Sequence, residues 1–113
     1  MNPFMNVKGI NYKIHNLHFL LNNKSAGFLT ESKYIDDPSS TWIRDFYVKE
    51  KSQGIGKIMM QEFLEKASED GHIQVGLGVD KKNFPAIKLY RGFGFEEYKE
   101  KETPTNYSLW RDI

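Results

Sequence analysis

The chain has 113 residues, 39% hydrophobic and 27% charged, with a formal net charge of +1 and no cysteine. This composition suits a soluble globular protein with one modest core, and it excludes a disulfide framework, a thiolate zinc site and a cysteine nucleophile. The near-neutral balance lacks the basic excess of a nucleic-acid binder, and no apolar run approaches the length of a membrane span.

The N-terminal stretch MNPFMNVKGINYK has no signal-peptide core, so the expected location is cytoplasmic, with no membrane partner. Val7–Ile14 has strand-like residues with some alternation. His18–Leu21 and Ala26–Tyr34 flank NNKS, a hairpin turn sequence. His15 and His18 fall in this strand-and-turn region and His72 lies far off, so no metal site is expected. DDPSS at 36–40 is a loop signal, and Thr41–Val48 (TWIRDFYV) reads as a strand rich in aromatic and β-branched residues.

A helix follows, with Ile55, Ile58, Met59, Phe63 and Ala67 as its apolar stripe and Gly71 as its stop. Ile73–Val79 (IQVGLGV) alternates apolar residues with Gln or Gly, as a strand does. Asn83–Phe93 reads as a second helix, with Pro85 in its first turn and Gly94 after its end. Ala86, Ile87, Leu89, Tyr90 and Phe93 group toward one side of it. Phe95–Lys99 and Tyr107–Trp110 close the chain as two strands. The order is strands first, then β-α-β-α-β-β: a mixed α/β sheet of about six to seven strands with two main helices. No repeat or linker divides it, so residues 1–113 are read as one domain.

The stretch KSQGIGK, from Lys51 to Lys57, sits between a strand end and a helix start, where anions bind. A Walker loop requires glycine where Lys51 stands and Ser or Thr where Ile58 stands; a dinucleotide fingerprint requires a third glycine where Met59 stands. Both fail. A third pattern fits better: Lys51, Ser52, Gln53, Gly54, Ile55 and Gly56 resemble the pyrophosphate loop of the Gcn5-related N-acetyltransferase (GNAT) family. Downstream, VDKKNFPAIKLYRGFGF resembles the family's second block, with Asn83, Ala86, Leu89, Tyr90, Gly94 and Phe95 in place. The resemblance covers the chain from Thr41 onward; the first forty residues match only in strand pattern.

That resemblance implies an acetyl-CoA-dependent N-acetyltransferase acting on a primary amine of a small molecule, protein or peptide, with acetyl-CoA as cosubstrate and no metal. Gly54 and Gly56 would leave the pyrophosphate free to approach the helix N-terminus, and Lys51 and Lys57 would add charge. Gln53 and Ile55 complete the implied loop. The backbone of Phe46, Tyr47 and Val48 would pair with pantetheine like an added strand, and an N–H near Val48 would face the thioester oxygen. Asn83 would touch pantetheine as well as cap its helix. Tyr90 would return a proton to the leaving thiolate. For the base there are two candidates. Asp45 lies in IRDFYV, which also resembles the corresponding strand of tubulin acetyltransferases; Glu50 would act through water.

The chain departs from the family in three ways. Lysine replaces Arg or Gln at position 51, and Val48 stands about two residues closer to the first glycine than the family's apolar strand end does. The two helices that follow the family's first strand are also missing, only His15–Leu17 lying between Ile14 and His18. One wall of the acceptor site is therefore expected to be open, near Phe19, Phe28 and Trp42, to be covered by a second copy in a homodimer or by the acceptor itself. An acyl-CoA-binding sensor without turnover, or a GNAT-like fold kept for protein interaction, are the alternative readings.

Overall fold

The computed structural model describes residues 4–7, 10–34, 37–50 and 54–113, with side chains at 13–33, 37–50 and 54–113. Its strands are β1 (Phe4–Val7), β2 (Ile10–Leu21), β3 (Lys24–Tyr34), β4 (Ser40–Val48), β5 (Gln74–Asp80), β6 (Glu96–Glu97) and β7 (Asn106–Asp112). Its α-helices are α1 (Ile55–Glu69) and α2 (Phe84–Gly92). The seven strands form one sheet in the order β1-β2-β3-β4-β5-β7-β6, antiparallel except for the parallel β4–β5 pair. The mixed α/β architecture is as expected.

The N-terminal strands differ from the expected division. Val7–Ile14 and His18–Leu21 are not separate strands: β2 runs unbroken through His15–Leu17, and the short β1 precedes it across residues 8–9. Alternation continues through His15, Asn16 and Leu17, so nothing there breaks a strand. Asn22 and Asn23 turn the β2–β3 hairpin with φ of 53° and 64°, the left-handed pair a two-residue turn requires. Phe95–Lys99 pairs only at Glu96 and Glu97, then passes into a 3₁₀ turn at Lys99–Lys101.

Both α-helices pack on one face of the sheet. α1 contributes Met59, Met60, Phe63, Leu64 and Ala67 to the core, against Leu29, Ile43, Val75, Leu77 and Leu109 of the sheet and Tyr90 of α2. Ile58 was expected in this stripe but points outward at 53% exposure; Met60 and Leu64 lie inside instead. The actual face is 55, 59, 60, 63, 64 and 67, a better fit to 3.6 residues per turn. On β5, Val75, Leu77 and Val79 face the helices, while Gly76 and Gly78 face the other way. Trp110 lies over Gly76 and Trp42 over Gly78, and the two indoles meet at 5.5 Å.

A polar network fixes the far end of the sheet. Glu31 is 1% exposed and accepts from Thr41 Oγ1 at 2.7 Å; His15 Nδ1 lies 2.9 Å from its other oxygen. Lys33 reaches from β3 to Asp70 at the end of α1 at 2.9 Å, and Lys66 reaches the same oxygen at 2.7 Å. The Lys66 and Lys33 hydrogen bonds hold the Asp70 carboxyl down to about 2. The folded value lies below the unfolded one, about 3.9. The contribution is therefore full above about pH 4 and is lost as pH falls toward 2. Since Asp70 is partly solvated, the effect is expected to stay at or below about 1 kcal/mol. Thermal melts of wild type and Asp70→Asn should differ by a constant gap near neutral pH, and the gap should close by about pH 2. A gap unchanged at pH 2 would show that the carboxylate pairing is not its source.

Candidate active site

β4 and β5 are paired only from Ser40–Gln74 to Ile43–Leu77. Beyond Ile43 the two strands continue but part, β4 to Val48 and β5 to Asp80. The parting begins at a bulge. Thr30 pairs with Asp45 and Glu31 with Ile43, which leaves Arg44 as the extra residue on β4. A bulge bends its strand and increases its twist, and this one turns β4 away from β5 while β4 keeps β3 as far as Val48. The result is a split in the sheet, where the Asp45–Val48 stretch of β4 pairs with β3 but not with β5.

The orientation of that stretch follows from one hydrogen bond. Lys49 N–H donates to Ala26 O at 2.9 Å, toward β3. Successive N–H groups of a strand point to opposite edges, so the Val48 N–H faces the split. This is where the sequence reading set a donor for a thioester oxygen.

α1 starts at the open end of the split. Gly54 is its N-cap in the left-handed region, φ 75°, which explains glycine at that position. Ile58 N–H reaches back to Gly54 O, so the N–H groups of Ile55, Gly56 and Lys57 in the first turn have no helical acceptor. The Ile55 side chain is buried with Ala26 and Met59, so only its backbone is offered to a ligand. Lys57 is exposed. Lys51 and Gln53 lie outside the described residues.

Gly56 is less open than its sequence context implied. A Cβ there would meet Leu89 Cδ2 at 3.4 Å, Val48 Cγ2 at 3.6 Å and Phe46 Cε1 at 3.8 Å. Glycine at this position lets the start of α1 pack on both β4 and α2, while its N–H stays in the open first turn.

α2 closes the helix side of the split. Asn83 caps it, accepting from Ala86 N–H at 3.3 Å, and Gly94 ends it at φ 86°. Phe95 N–H donates back to Tyr90 O at 3.1 Å, which locks the last turn around Tyr90. The Tyr90 ring is 7% exposed, edge-on to Phe46 and to Phe95 at 6.0 Å each. Burial pushes its phenol up to about 12. Tyr90 is therefore a neutral donor at physiological pH, beside the β4 edge.

Asp45 stands on the other face of β4. It pairs across from Thr30, which donates to Asn16 at 2.9 Å, and it is exposed. Glu50 is exposed just past the end of β4. The two named catalytic candidates, Tyr90 and Asp45, thus flank one strand from opposite sides, with the split between them.

A mixed sheet with its two helices on one face, whose parallel pair parts at a bulge and which carries a glycine-capped helix N-terminus at the mouth, defines a cleft for an extended anionic ligand. The chain belongs to the acetyltransferase (GNAT) family, whose model it matches over residues 9–95. Solved structures agree in fold. PaiA N-acetyltransferase from Thermoplasma acidophilum, in complex with coenzyme A, superposes with a TM-score of 0.77 at 17% identity, over 88% of this chain and 61% of that one. Ard1 from Thermoplasma volcanium gives 0.70 at 28% identity, over 81% and 66%. A GNAT family acetyltransferase from Elizabethkingia anophelis with acetyl-CoA bound gives 0.73 at 19%, over 90% and 76%. The chain thus spans less than two thirds of the length of the first two. No curated protein matches the sequence.

Proposed function

We propose that this chain transfers the acetyl group of acetyl-CoA directly to a primary amine. The observation that carries this reading is the split between β4 and β5, with the α1 N-terminus at its mouth and Tyr90 on its helix side. The first-turn N–H groups of Ile55, Gly56 and Lys57 would hold the pyrophosphate, aided by the helix dipole and the Lys57 ammonium. Pantetheine would lie along Phe46–Val48 as a substitute for the missing pairing with β5. Asn83 would meet it from the start of α2. The Val48 N–H would steady the oxyanion that forms when the amine attacks.

An ordinary alkyl amine has a pKa near ~10.4, so about one in 10³ is neutral at pH 7. Asp45 would take the proton on the open face, or Glu50 would do so through water. On the helix side, Tyr90 would stabilise the departing thiolate. Its phenol stands at about 12, and full transfer to a thiolate of pKa roughly 8.5 would be uphill by about 5 kcal/mol. Tyr90 therefore acts mainly as a hydrogen-bond donor, and solvent completes the protonation.

The magnitude expected for Tyr90→Phe is correspondingly small, at or below the ~10²-fold end of general acid catalysis. In a thiol-release assay over a panel of amines, turnover should fall while acetyl-CoA affinity, read by calorimetry, is kept. Unchanged turnover, with acetyl transfer shown to be rate-limiting, would remove Tyr90 from the reaction. Acetyl-CoA binding without thiol release over the whole panel would support the sensor reading instead. No binding would support a fold kept for protein contact.

A further inference from the structure

The face of β2, β3 and β4 opposite the helices carries two aligned rows. His18, Phe28 and Tyr47 are cross-strand partners, as are Asn16, Thr30 and Asp45. Phe28 and Tyr47 stack at 5.3 Å and 29°, and His18 lies 6.3 Å from Phe28. Phe28 is 37% exposed and Tyr47 48%. Neither helix covers this face, and its β4 row borders the split directly. Phe19 was expected here but belongs to the helix side, packed with Ala26, Ile55 and Met59. Trp42 does share the face, resting on Gly78.

We propose that these rows are the acceptor platform, and that they fit a primary amine carried on an aryl or alkyl body. The inference rests on the acetyl-transfer reading and names its substrate class. The aromatic row offers flat π surface to an apolar body and to a nearby ammonium. The polar row ends in Asp45, whose carboxylate is of opposite sign to that ammonium and lies two residues from Tyr47 on the same face. One carboxylate in the two rows answers one ammonium, so the platform suits a monoamine better than a polyamine. In the transfer, the amine nitrogen loses a proton to Asp45 and forms the N–C bond. The C–S bond breaks, its electron pair leaves with the thiolate, the second proton on nitrogen passes to solvent, and solvent returns one to the thiolate.

Phenethylamine and spermidine are the probes, with binding read by saturation-transfer NMR on the protein with and without coenzyme A. Wild type should bind phenethylamine more tightly than spermidine. Phe28→Thr, which keeps a strand-forming residue, should weaken phenethylamine about fivefold or more and leave acetyl-CoA affinity unchanged by calorimetry. Phe28→Leu, which keeps apolar volume and fold but removes the π stack, should fall between. Asp45→Asn should weaken phenethylamine and leave the neutral analogue phenethyl alcohol unaffected. Equal phenethylamine binding by wild type and both Phe28 variants would overturn the platform, as would a preference for spermidine. Sedimentation showing a dimer that Phe28→Thr dissociates would overturn it in favour of a second copy on this face. Phenethylamine binding at Phe28 without acetyl-CoA binding would instead sink the acetyl-transfer reading alone.

Discussion

Gly27→Ala is expected to cost about 3 kcal/mol of stability, the upper end for overpacking a filled site, and to weaken acetyl-CoA binding with it. A Cβ at Gly27 would run into the backbone oxygen of Tyr47 and come within 2.8 Å of Met59 Sδ. The methionine tip can turn aside, but the strand oxygen cannot. Gly27 pairs with Val48, so relief requires the end of β4 to shift, and that end carries the proposed oxyanion donor and pantetheine edge. Gly92→Ala is the matched control, because nothing lies within 4 Å of its Cβ position at the end of α2. It should leave stability unchanged or raise it by about 0.5–1 kcal/mol. Urea denaturation with both variants checks this. Equal midpoints for Gly27→Ala and wild type would show that β4 does not need the close approach.

The legible parts of this protein are those where local chemistry and global placement agree. The α1 start, the Asn83 cap, the Gly94 stop and the Asn22–Asn23 turn each depend on one residue type at one position, and all were readable in sequence. Pairing partners were not. Nothing local in IRDFYV says that Arg44 is a bulge, because a bulge is defined by the strand opposite. The long β2 reads as two strands, Val7–Ile14 and the hairpin arm His18–Leu21, although alternation runs through His15–Leu17 without a break. Gly27 did leave a signal, a lone glycine inside a strand, which marks a bulge or a close backbone approach. The outer face of the sheet was legible only in part. Phe28 and Trp42 were placed near the open wall, but the row with His18 and Tyr47 emerges only from the β2–β3–β4 register.

The missing wall also bears on how the reaction would be arranged. Both helices sit on the side where coenzyme A would enter, and Tyr90 with them. The amine would come from the uncovered side, where Asp45 stands. In the proposed reaction, attack and departure would then occur on opposite faces of one split, with the β4 edge holding the thioester between them. With that face open, water exclusion would depend on the acceptor's own body, and the proposed aromatic row would then affect rate as well as affinity.

Gly56→Val should reduce coenzyme A affinity at least ~100-fold, whereas Gly56→Ala should keep most of it. The sequence alone suggests that any side chain at Gly56 would block a phosphate. The structure shifts the cause. The Cβ direction points into protein, at Leu89, Val48 and Phe46, all between 3.4 and 3.8 Å. Alanine fits there at ordinary contact distance. The two γ-methyls of valine do not, and they would lever the start of α1 away from α2 and β4. That movement misaligns the first-turn N–H groups from the end of β4, where the pantetheine would run. Losing even two hydrogen bonds to a charged group, at about 1.5–3 kcal/mol each, predicts a loss of this size. Calorimetry with coenzyme A on both variants, each shown folded by circular dichroism, separates the accounts. If alanine costs as much as valine, the glycine faces the ligand and the packing explanation is wrong. If valine binds like wild type, the pyrophosphate does not sit at the start of α1.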